Sequence, residues 1–331
     1  MQEFKSFSDR LSKLKPEEFE DFALDVFRFQ AQENPVYRSY LAARKINPLT
    51  ISELKSIPFL PIRFFKDFDV IAGKITDYEG FYSSSGTTGM ITSKHYFWSQ
   101  SGYLEHAQQI FEESFGSLQD YHVLALLPAY LERKGSSLVA MADHFIQVSQ
   151  SEHSGFYLYN EEELLAKLDL LKSDSKKVLL LGVTFALLDL AESGRAFSPM
   201  KNLIVMETGG MKGRRKEMIR EEVHEVLCDF FHVDMIHSEY GMTEMMSQAY
   251  SKGRGVYTLP KSMRVLLRDI NDPLSWSSRS QGGINVIDLG NFHSCAFLET
   301  QDLGRMGEDG TLEVLGRFDN SEIRGCNLLV Q

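Results

Sequence analysis

Apolar residues near the start of the chain recur at the spacing of an amphipathic helix. In "KPEEFEDFALDVFRFQAQ" (15–32) they fall on one face, and we expect two helices over residues 1–45. Residues 51–75 predict a short helix, followed by "IPFLPIRFFKDFDV", in which two prolines break any regular element. The residues of the apolar face are Phe19, Phe22, Ala23, Val26 and Phe27.

Buried-type strands then alternate with amphipathic helices. "EGFYSSSGTTG" predicts a strand followed by a loop, and "SQSGYLEHAQQIFEESFG" (99–116) predicts a helix with a serine start and a glycine stop. The alternation indicates an α/β fold with a doubly wound, mostly parallel sheet sandwiched by helices. Strands are expected in "YHVLALLP", "SGFYLYN", "KKVLLLG", "NLIVMETGG" and "DMIHSEYG", and helices in "SSLVAMADHFIQ", "EEELLAKLDLLKS", "VTFALLDLAESG" and "GRRKEMIREEVHEVLCDFF".

The helical pattern stops near residue 255, after which short strands and turns predict a small β-rich lobe. We therefore expect one large domain over 1–315 and a hinge-like tail over 316–331 that carries a cysteine. Within the large domain, we expect a helical part over 1–75, an α/β core over 76–254 and the β-rich lobe over 255–315.

Charge and composition narrow the class of protein. The 331 residues are 43% hydrophobic and carry a formal net charge of −11, which argues against a nucleic-acid partner. The longest apolar stretch (178–191) is too short to span a bilayer and contains Asp189, so no membrane insertion is expected. No signal peptide is recognisable, and the three cysteines are far apart and lack metal-ligand spacing, so we expect reduced thiols and a cytoplasmic location.

The stretch "SSSGTTG" (83–89) is a candidate phosphate loop. Its glycines, Gly86 and Gly89, allow close approach of backbone N–H groups to an anion, and a following helix would add positive potential. Without the Gly-Lys-Ser/Thr of a Walker loop, a solvated turn is an equally good interpretation of this stretch alone. The hydroxyl donors would be Ser84, Ser85, Thr87 and Thr88.

Two later stretches carry further candidate ligands for a nucleotide. Tyr240 could lie against a purine, Thr243 could donate to phosphate and Glu244 could hold Mg²⁺, at the carboxyl end of a predicted strand where open α/β sheets bind ligands. Asp302 precedes a glycine in "ETQDLGR" and could accept from both ribose hydroxyls. Taken singly, an ordinary turn is the better interpretation of each stretch. The first motif is "YGMTE": Tyr240, Gly241, Met242, Thr243 and Glu244.

Together these stretches resemble the acyl-adenylating superfamily of acyl-CoA ligases, peptide-synthetase adenylation domains and firefly-type luciferases. "SSGTTG" is similar to its phosphate loop, "YGMTE" to its adenine and magnesium motif, "QDLGR" to its ribose aspartate and "GRFDNSEIRG" (316–325) to its hinge. "TGGMKGR" (208–214) resembles the glycine turn lining the adenine and carboxylate pocket. The resemblance implies ATP and Mg²⁺ as cofactors, and adds Gly209, Gly210 and Arg317 to the nucleotide-binding residues.

The resemblance is closer to one branch. "ENPVYRSYL" is similar to the phenylacetate-CoA ligase group, and "IPFLPIRFFK" and "LLPAYLERKGSSLVAM" to the acyl-protein synthetases of bacterial bioluminescence fatty-acid reductases. Lys94 is displaced from the usual position of the superfamily's loop lysine, and the mobile C-terminal domain with its catalytic lysine is expected to be absent. The resemblance implies activation of a fatty acid and its delivery to a reductase.

Cys326 is the candidate thiol nucleophile, because it follows the hinge motif and has Arg324 two residues away. An inert thiol is the alternative. Cys228 and Cys295 are expected in the core. His237, Ser136 and Ser137 are candidate substrate contacts, although a strand-end histidine and a helix N-cap explain them equally well.

Three functions are compatible with these residues. The chain could load an acid onto Cys326, it could be an AMP-forming ligase that acts on CoA or a carrier-protein thiol with a separate partner, or it could bind nucleotide without turnover.

Overall fold

The computed structural model describes residues 2–84, 92–128, 135–158, 160–210 and 218–318. Helices form in the segments in which the apolar spacing predicts them, and side chains cap the N-termini of some of them. The Ser99 hydroxyl accepts from the Gly102 N–H at the start of one helix, which ends at Gly116 with φ of 88°. In the described part, the α-helices are α1 (Gln2–Ser12), α2 (Phe19–Glu33), α3 (Pro35–Ala43), α4 (Phe64–Asp67), α5 (Gln100–Phe115), α6 (Ser137–Ser149), α7 (Glu161–Leu171), α8 (Thr184–Ala191) and α9 (Arg220–Phe231).

The prediction of two helices over 1–45 was wrong, because the second predicted helix is divided. Asn34 ends α2 and also caps α3, its side-chain oxygen accepting from the Tyr37 N–H. Pro35 follows as the first residue of α3, where a proline needs no hydrogen-bond donor.

The strands form one large sheet and one hairpin. The order in the large sheet is β11-β12-β13-β14-β10-β9-β8-β7-β6-β4-β5, with β1 beside β13, and β2 pairs with β3 in the hairpin. The strands of the described residues are β1 (Leu60–Pro61), β2 (Gly80–Ser83), β3 (Lys94–Phe97), β4 (Tyr121–Leu126), β5 (Gly155–Tyr157), β6 (Lys177–Val183), β7 (Leu203–Thr208), β8 (His237–Tyr240), β9 (Ala249–Ser251), β10 (Val256–Thr258), β11 (Met263–Arg268), β12 (Gln281–Asp288), β13 (Phe297–Met306) and β14 (Leu312–Arg317).

The α/β fold class is confirmed by the central part of the sheet. Strands β4 to β8 are parallel and are connected through helices. Strand residues such as Leu179 and Val205 share one buried core with Phe111 of α5 and Phe145 of α6. The carboxyl ends of β7 and β8 therefore lie side by side at one edge of this sheet.

The strands after residue 255 continue the same sheet, since β10 pairs with β9 and β14. These strands share a second core with the N-terminal helices, in which Phe22 and Phe27 of α2 pack with Ile284, Val286 and Phe297. The helical part and the β-rich part, far apart in sequence, therefore cover each other's apolar faces. The domain boundaries at 75, 254 and 315 remain predictions.

The predicted strand–loop–helix arrangement around residues 83–89 was wrong. The Gly/Ser/Thr stretch leads into β3, which pairs with β2 in antiparallel register, Ser83 opposite Lys94. The next helix, α5, begins only at Gln100. A helix N-terminus thus does not follow the loop directly, and any anion binding there must depend on loop N–H groups, hydroxyls and neighbouring side chains.

Among the described residues, no helix is both long enough and apolar enough to cross a membrane.

Candidate functional site

Two of the sequence motifs and the start of the hinge motif meet through one buried carboxylate. Asp302 of β13 is 5% exposed, and its two oxygens accept hydrogen bonds from separate elements. The Tyr240 hydroxyl at the end of β8 donates to Oδ2 over 2.9 Å, and Arg317 Nε donates to Oδ1 over 3.1 Å. Residues 302 and 317 are register partners in β13 and β14, so strand pairing fixes the second contact.

The phenol of Tyr240 is a neutral donor. Burial raises its pKa well above the usual value, and the negative charge of Asp302 raises it further. The Asp302 carboxylate has about four lone-pair sites, of which these contacts use two, so it can still accept from a ligand.

Glu244 lies beside the flank of the Gly/Ser/Thr stretch. Glu244 is 8% exposed, and burial raises the pKa of its carboxyl. The pKa of this carboxyl is lowered by a hydrogen bond from the Ser93 hydroxyl and by the positive charges of Arg317 and Lys66. Glu244 is therefore within electrostatic reach of the same arginine that binds Asp302.

Ser84 and Ser93 hold the two ends of the stretch together. The Ser84 N–H donates to the Ser93 carbonyl over 3.1 Å, and the Ser93 N–H donates to the Ser84 hydroxyl over 2.9 Å. Since Ser93 is near enough to Glu244 to lower the pKa of its carboxyl, this closure places the mouth of the loop next to the "YGMTE" motif. Ser85, Gly86, Thr87, Thr88 and Gly89 lie outside the described residues.

The rest of the "YGMTE" motif is fixed by close contacts. A Cβ at Gly241 would lie 2.4 Å from Glu239 Oε1, so a larger residue there would force the buried Glu239 carboxylate to shift. His95 of β3 donates from Nδ1 to the Thr243 carbonyl over 2.8 Å, and burial lowers its pKa to about 4, so it is neutral. Met242 packs against the core shared with the N-terminal helices.

The glycine turn after β7 lies at the neighbouring strand end. Gly209 has φ of 74°, which favours glycine, and its carbonyl accepts from the Thr184 hydroxyl over 3.2 Å. The same hydroxyl contacts Glu207 Oε2 over 2.7 Å. Gly210 follows at the end of the described segment.

His237 lies at the opposite end of β8 from Tyr240, and its ring packs against Phe115 with centroids 5.6 Å apart. Burial lowers its pKa, which fits a packed strand-end histidine. The structure does not bring it to Tyr240 or Asp302.

Ser136 is the N-cap of α6, its hydroxyl accepting from the Val139 N–H over 3.4 Å. The Ser137 carbonyl accepts from the Tyr103 hydroxyl. The preceding Gly135 carbonyl accepts from the Ser83 N–H over 2.7 Å, so both serines lie close to the hairpin that carries the loop. Their role as substrate contacts remains a prediction.

Lys94 begins β3, with its ammonium 5.4 Å from the Phe81 ring centroid on the hairpin. Of the cysteines, Cys295 is buried, and burial raises the pKa of its thiol to about 12, as expected for a core residue. Cys228 is partly buried at the edge of the first core. Cys326 lies outside the described residues.

Sequence reasoning missed Lys66, Ser93 and Glu239. Glu239 is buried beside Gly241, accepts from the Thr208 hydroxyl, and has its pKa raised to about 7 by burial. Lys66 and Ser93 approach Glu244 from elements distant in sequence, and no local pattern marks them. Ser93 could have been noticed only by its place just beyond the loop.

The site fits a magnesium ion held jointly with a nucleotide. Within the described ranges, no group of three or more histidine, cysteine, aspartate or glutamate side chains could hold a metal ion. Mg²⁺ bound with ATP needs only one or two protein carboxylates, because phosphate oxygens and water complete its shell. Glu244, a buried carboxylate at the loop mouth, is the residue that could supply this ligand.

Solved structures with the same fold are CoA ligases and a protein solved with ATP. 2-Hydroxyisobutyryl-CoA ligase, in complex with 2-HIB-AMP and CoA, superposes with a TM-score of 0.65 and 13% identity over 94% of this chain and 71% of its own. ATP-bound MatB from Rhodopseudomonas palustris gives 0.53 and 17% over 76% of this chain and 50% of its own. o-Succinylbenzoate CoA synthetase (MenE) from Bacillus subtilis gives 0.53 and 16% over 75% and 50%.

The chain thus spans about half the length of MatB and MenE. No protein-family model matches the sequence, and no curated protein matches it. At these identities the similarity establishes the fold alone: the chain has the same fold as these proteins.

Proposed function

We propose that this chain uses ATP to activate a carboxylic acid as an acyl-adenylate, releasing pyrophosphate. The observation that carries the proposal is the meeting of Tyr240, Asp302 and Arg317, with Glu244 and the Ser84–Ser93 closure beside them. These residues come from three separate segments that together span residues 84 to 317. The fold, shared with a protein solved with ATP and a ligase solved with an acyl-AMP, supports the same conclusion.

In this proposal, the ribose hydroxyls donate to Asp302, whose free lone pairs face the ligand while Tyr240 and Arg317 hold the carboxylate in place. Arg317 is exposed and positively charged, so it can also approach a phosphate. The Ser84–Ser93 closure brings the two ends of the loop together beside Glu244, where the phosphates would lie.

Both reactants are anionic, because a carboxylate must approach the α-phosphorus of ATP. A magnesium ion at Glu244 would neutralise phosphate charge when bound. The chain itself contributes positive charge from Lys66 and Arg317 near Glu244. Donors fixed in advance at a partly buried site lower the barrier more than the same donors in water.

For the second half-reaction, we propose transfer to Cys326. The thiolate sulfur attacks the acyl carbonyl carbon, the carbonyl–oxygen bond to AMP breaks, AMP leaves, and the thiol proton passes to solvent. Support comes from the resemblance to acyl-protein synthetases, which also favours a fatty acid as substrate and a reductase or carrier protein as acceptor. The spacing of the cysteines, which favours reduced thiols, supports a cytoplasmic location.

An AMP-forming ligase acting on CoA is the second candidate. One observation favours it, namely that 2-hydroxyisobutyryl-CoA ligase, solved with CoA, shares the fold over most of this chain. The two candidates differ in the thiol that receives the acyl group and share the first half-reaction.

Intact-protein mass spectrometry after incubation with ATP, Mg²⁺ and a panel of carboxylic acids distinguishes them. Transfer to Cys326 predicts an acyl mass adduct that hydroxylamine removes, that Cys326→Ser abolishes and that the buried control Cys295→Ser retains. An adduct that persists in Cys326→Ser would place the nucleophile elsewhere. No adduct, together with acyl-CoA formation, would favour the CoA ligase.

A further inference from the structure

The loop between β12 and β13 contacts the segment that carries Glu244. Asp288, the last residue of β12, is fully buried, and its carboxylate faces the backbone that follows Glu244. Its Oδ2 accepts from the Met246 N–H over 2.7 Å and from the Ser247 N–H over 3.0 Å. Two consecutive N–H groups on one buried carboxylate oxygen are charge-assisted bonds, the stronger kind.

The second oxygen of Asp288 completes the attachment. Oδ1 accepts from the Ser247 hydroxyl over 2.6 Å and from the Gly290 N–H over 3.0 Å, so one carboxylate joins two loops. Gly290 makes the approach possible, because a Cβ there would lie 2.9 Å from the Met246 Cβ.

Asn291 extends the contact to Glu244 itself. It is fully buried, and its amide nitrogen donates to the Glu244 carbonyl over 2.9 Å and to Asp288 Oδ2 over 3.4 Å. The chain at Glu244 and directly after it is thus fixed, at 244 through Asn291 and at 246–247 through Asp288. The segment between β8 and β9 is a turn, in which Met245 N–H donates to the Met242 carbonyl, so these side chains replace strand pairing there.

We propose that Asp288 and Asn291 are positioning residues for Glu244, which set where its carboxylate points at the mouth of the loop. Neither residue lies in the motifs that suggested a nucleotide site. The inference rests on the proposed function insofar as Glu244 acts in adenylation, but the attachment of residues 244–247 can be tested separately.

A double-mutant cycle tests whether Asp288 acts through Glu244. Asp288→Asn keeps the shape of the side chain but replaces an acceptor by a donor that faces N–H groups, and we expect it to slow ATP–pyrophosphate exchange about tenfold. In a Glu244→Gln background, the same change should cost less than about twofold, because the group that it positions is already inactive. Equal factors in both backgrounds would overturn the proposal.

Asn202→Asp is the matched control. This change is also isosteric. The Asn202 amide donates to the Leu171 and Lys176 carbonyls at the amino end of β7, which is the end away from the candidate site. If Asp288→Asn does not fold, Asn291→Ala, which removes the bond to the Glu244 carbonyl, replaces it in the cycle.

Hydrogen–deuterium exchange of the ligand-free protein separates failure of this inference from failure of the proposed function. Asp288→Asn should speed exchange about tenfold or more in the peptide over 243–249, and Asn202→Asp should leave it unchanged. Unchanged exchange in both would overturn the positioning role. If the wild type shows no pyrophosphate exchange, adenylation fails as the function, and this measurement alone decides the positioning claim.

Discussion

Asp302 combines two roles at the scale of a single residue, because it fixes Tyr240 and Arg317 and keeps lone pairs for a ligand. Asp302→Asn keeps the volume but presents a donor where both neighbours donate. We expect ATP to bind about tenfold to a hundredfold more weakly, since a buried charge-assisted acceptor is lost.

Isothermal titration calorimetry with ATP and Mg²⁺ checks this prediction. Asp309→Asn is the control, because Asp309 lies exposed in the β13–β14 turn, where it accepts from Thr311. Equal ATP affinity in Asp302→Asn and in the wild type would remove Asp302 from the nucleotide site.

The buried Glu239 carboxyl makes the stability of the folded chain depend on pH. Its pKa is raised to about 7 in the folded chain by burial, from a usual value near 4.5. As pH rises through this window, the unfolded chain loses the proton first, so the folded state loses stability between pH 4.5 and 7. Glu239→Gln removes that loss and should stabilise the protein by about 2–3 kcal/mol at pH 8.

Urea unfolding at pH 8 and at pH 4.5 measures this effect. We expect the gain of Glu239→Gln over the wild type to be small at pH 4.5, where the glutamate is neutral in both states. A gain of the same size at both pH values would mean that the effect is packing and not ionisation.

Some residues at the candidate site could be predicted from the sequence, and others could not. Tyr240, Glu244 and Asp302 could be proposed as site residues because each lies in a recognisable motif. Asp288 reaches the same segment through hydrogen bonds, and Lys66 acts on Glu244 only through its charge. Neither has a local sequence pattern that reveals it.

At the scale of elements, α2 supports the loop that holds Asp288 and Asn291. Gln30 is fully buried in α2, and its amide nitrogen donates to the Asn291 carbonyl over 2.7 Å and the Phe292 carbonyl over 3.0 Å. Its oxygen accepts from the Ala296 N–H over 3.0 Å. The helical N-terminal part thus supports the β12–β13 loop.

Gln30→Ala should therefore destabilise the fold by about 2–4 kcal/mol, because it removes the hydrogen-bond partner of the buried Phe292 carbonyl and Ala296 N–H, leaves the Asn291 carbonyl only its bond from the Ser294 N–H, and opens a cavity. Thermal or urea unfolding measures the change. Gln32→Ala, on the exposed side of the same helix, is the control and should cost less than about 0.5 kcal/mol. Similar changes in the free energy of unfolding for the two variants would contradict the role of Gln30 in supporting the β12–β13 loop.

The elements also explain which local predictions were right. The helix over 99–116 was predicted with both ends, because Ser99 and Gly116 are local signals. The strand β3 was missed, because Lys94–Phe97 is short and its pairing with β2 is a contact across the loop. Without that strand, the sequence wrongly suggested a helix directly after the loop.

At the scale of the whole molecule, the fold class followed from alternating apolar strands and amphipathic helices. The packing of the N-terminal helices against β11–β13 in one core could not be predicted in this way, because it joins residues more than two hundred positions apart. The same long-range packing brings β13 and β14 to the carboxyl end of β8, where the candidate site lies.

ATP–pyrophosphate exchange is the most direct test of the central claim. Radioactive pyrophosphate, ATP, Mg²⁺ and a panel of carboxylic acids are incubated with the wild type and with Glu244→Gln. The account predicts label in ATP only when a suitable acid is present, and a rate at least about tenfold lower in Glu244→Gln. Exchange that does not depend on any acid, or no exchange with any acid in a protein that binds ATP, would contradict it.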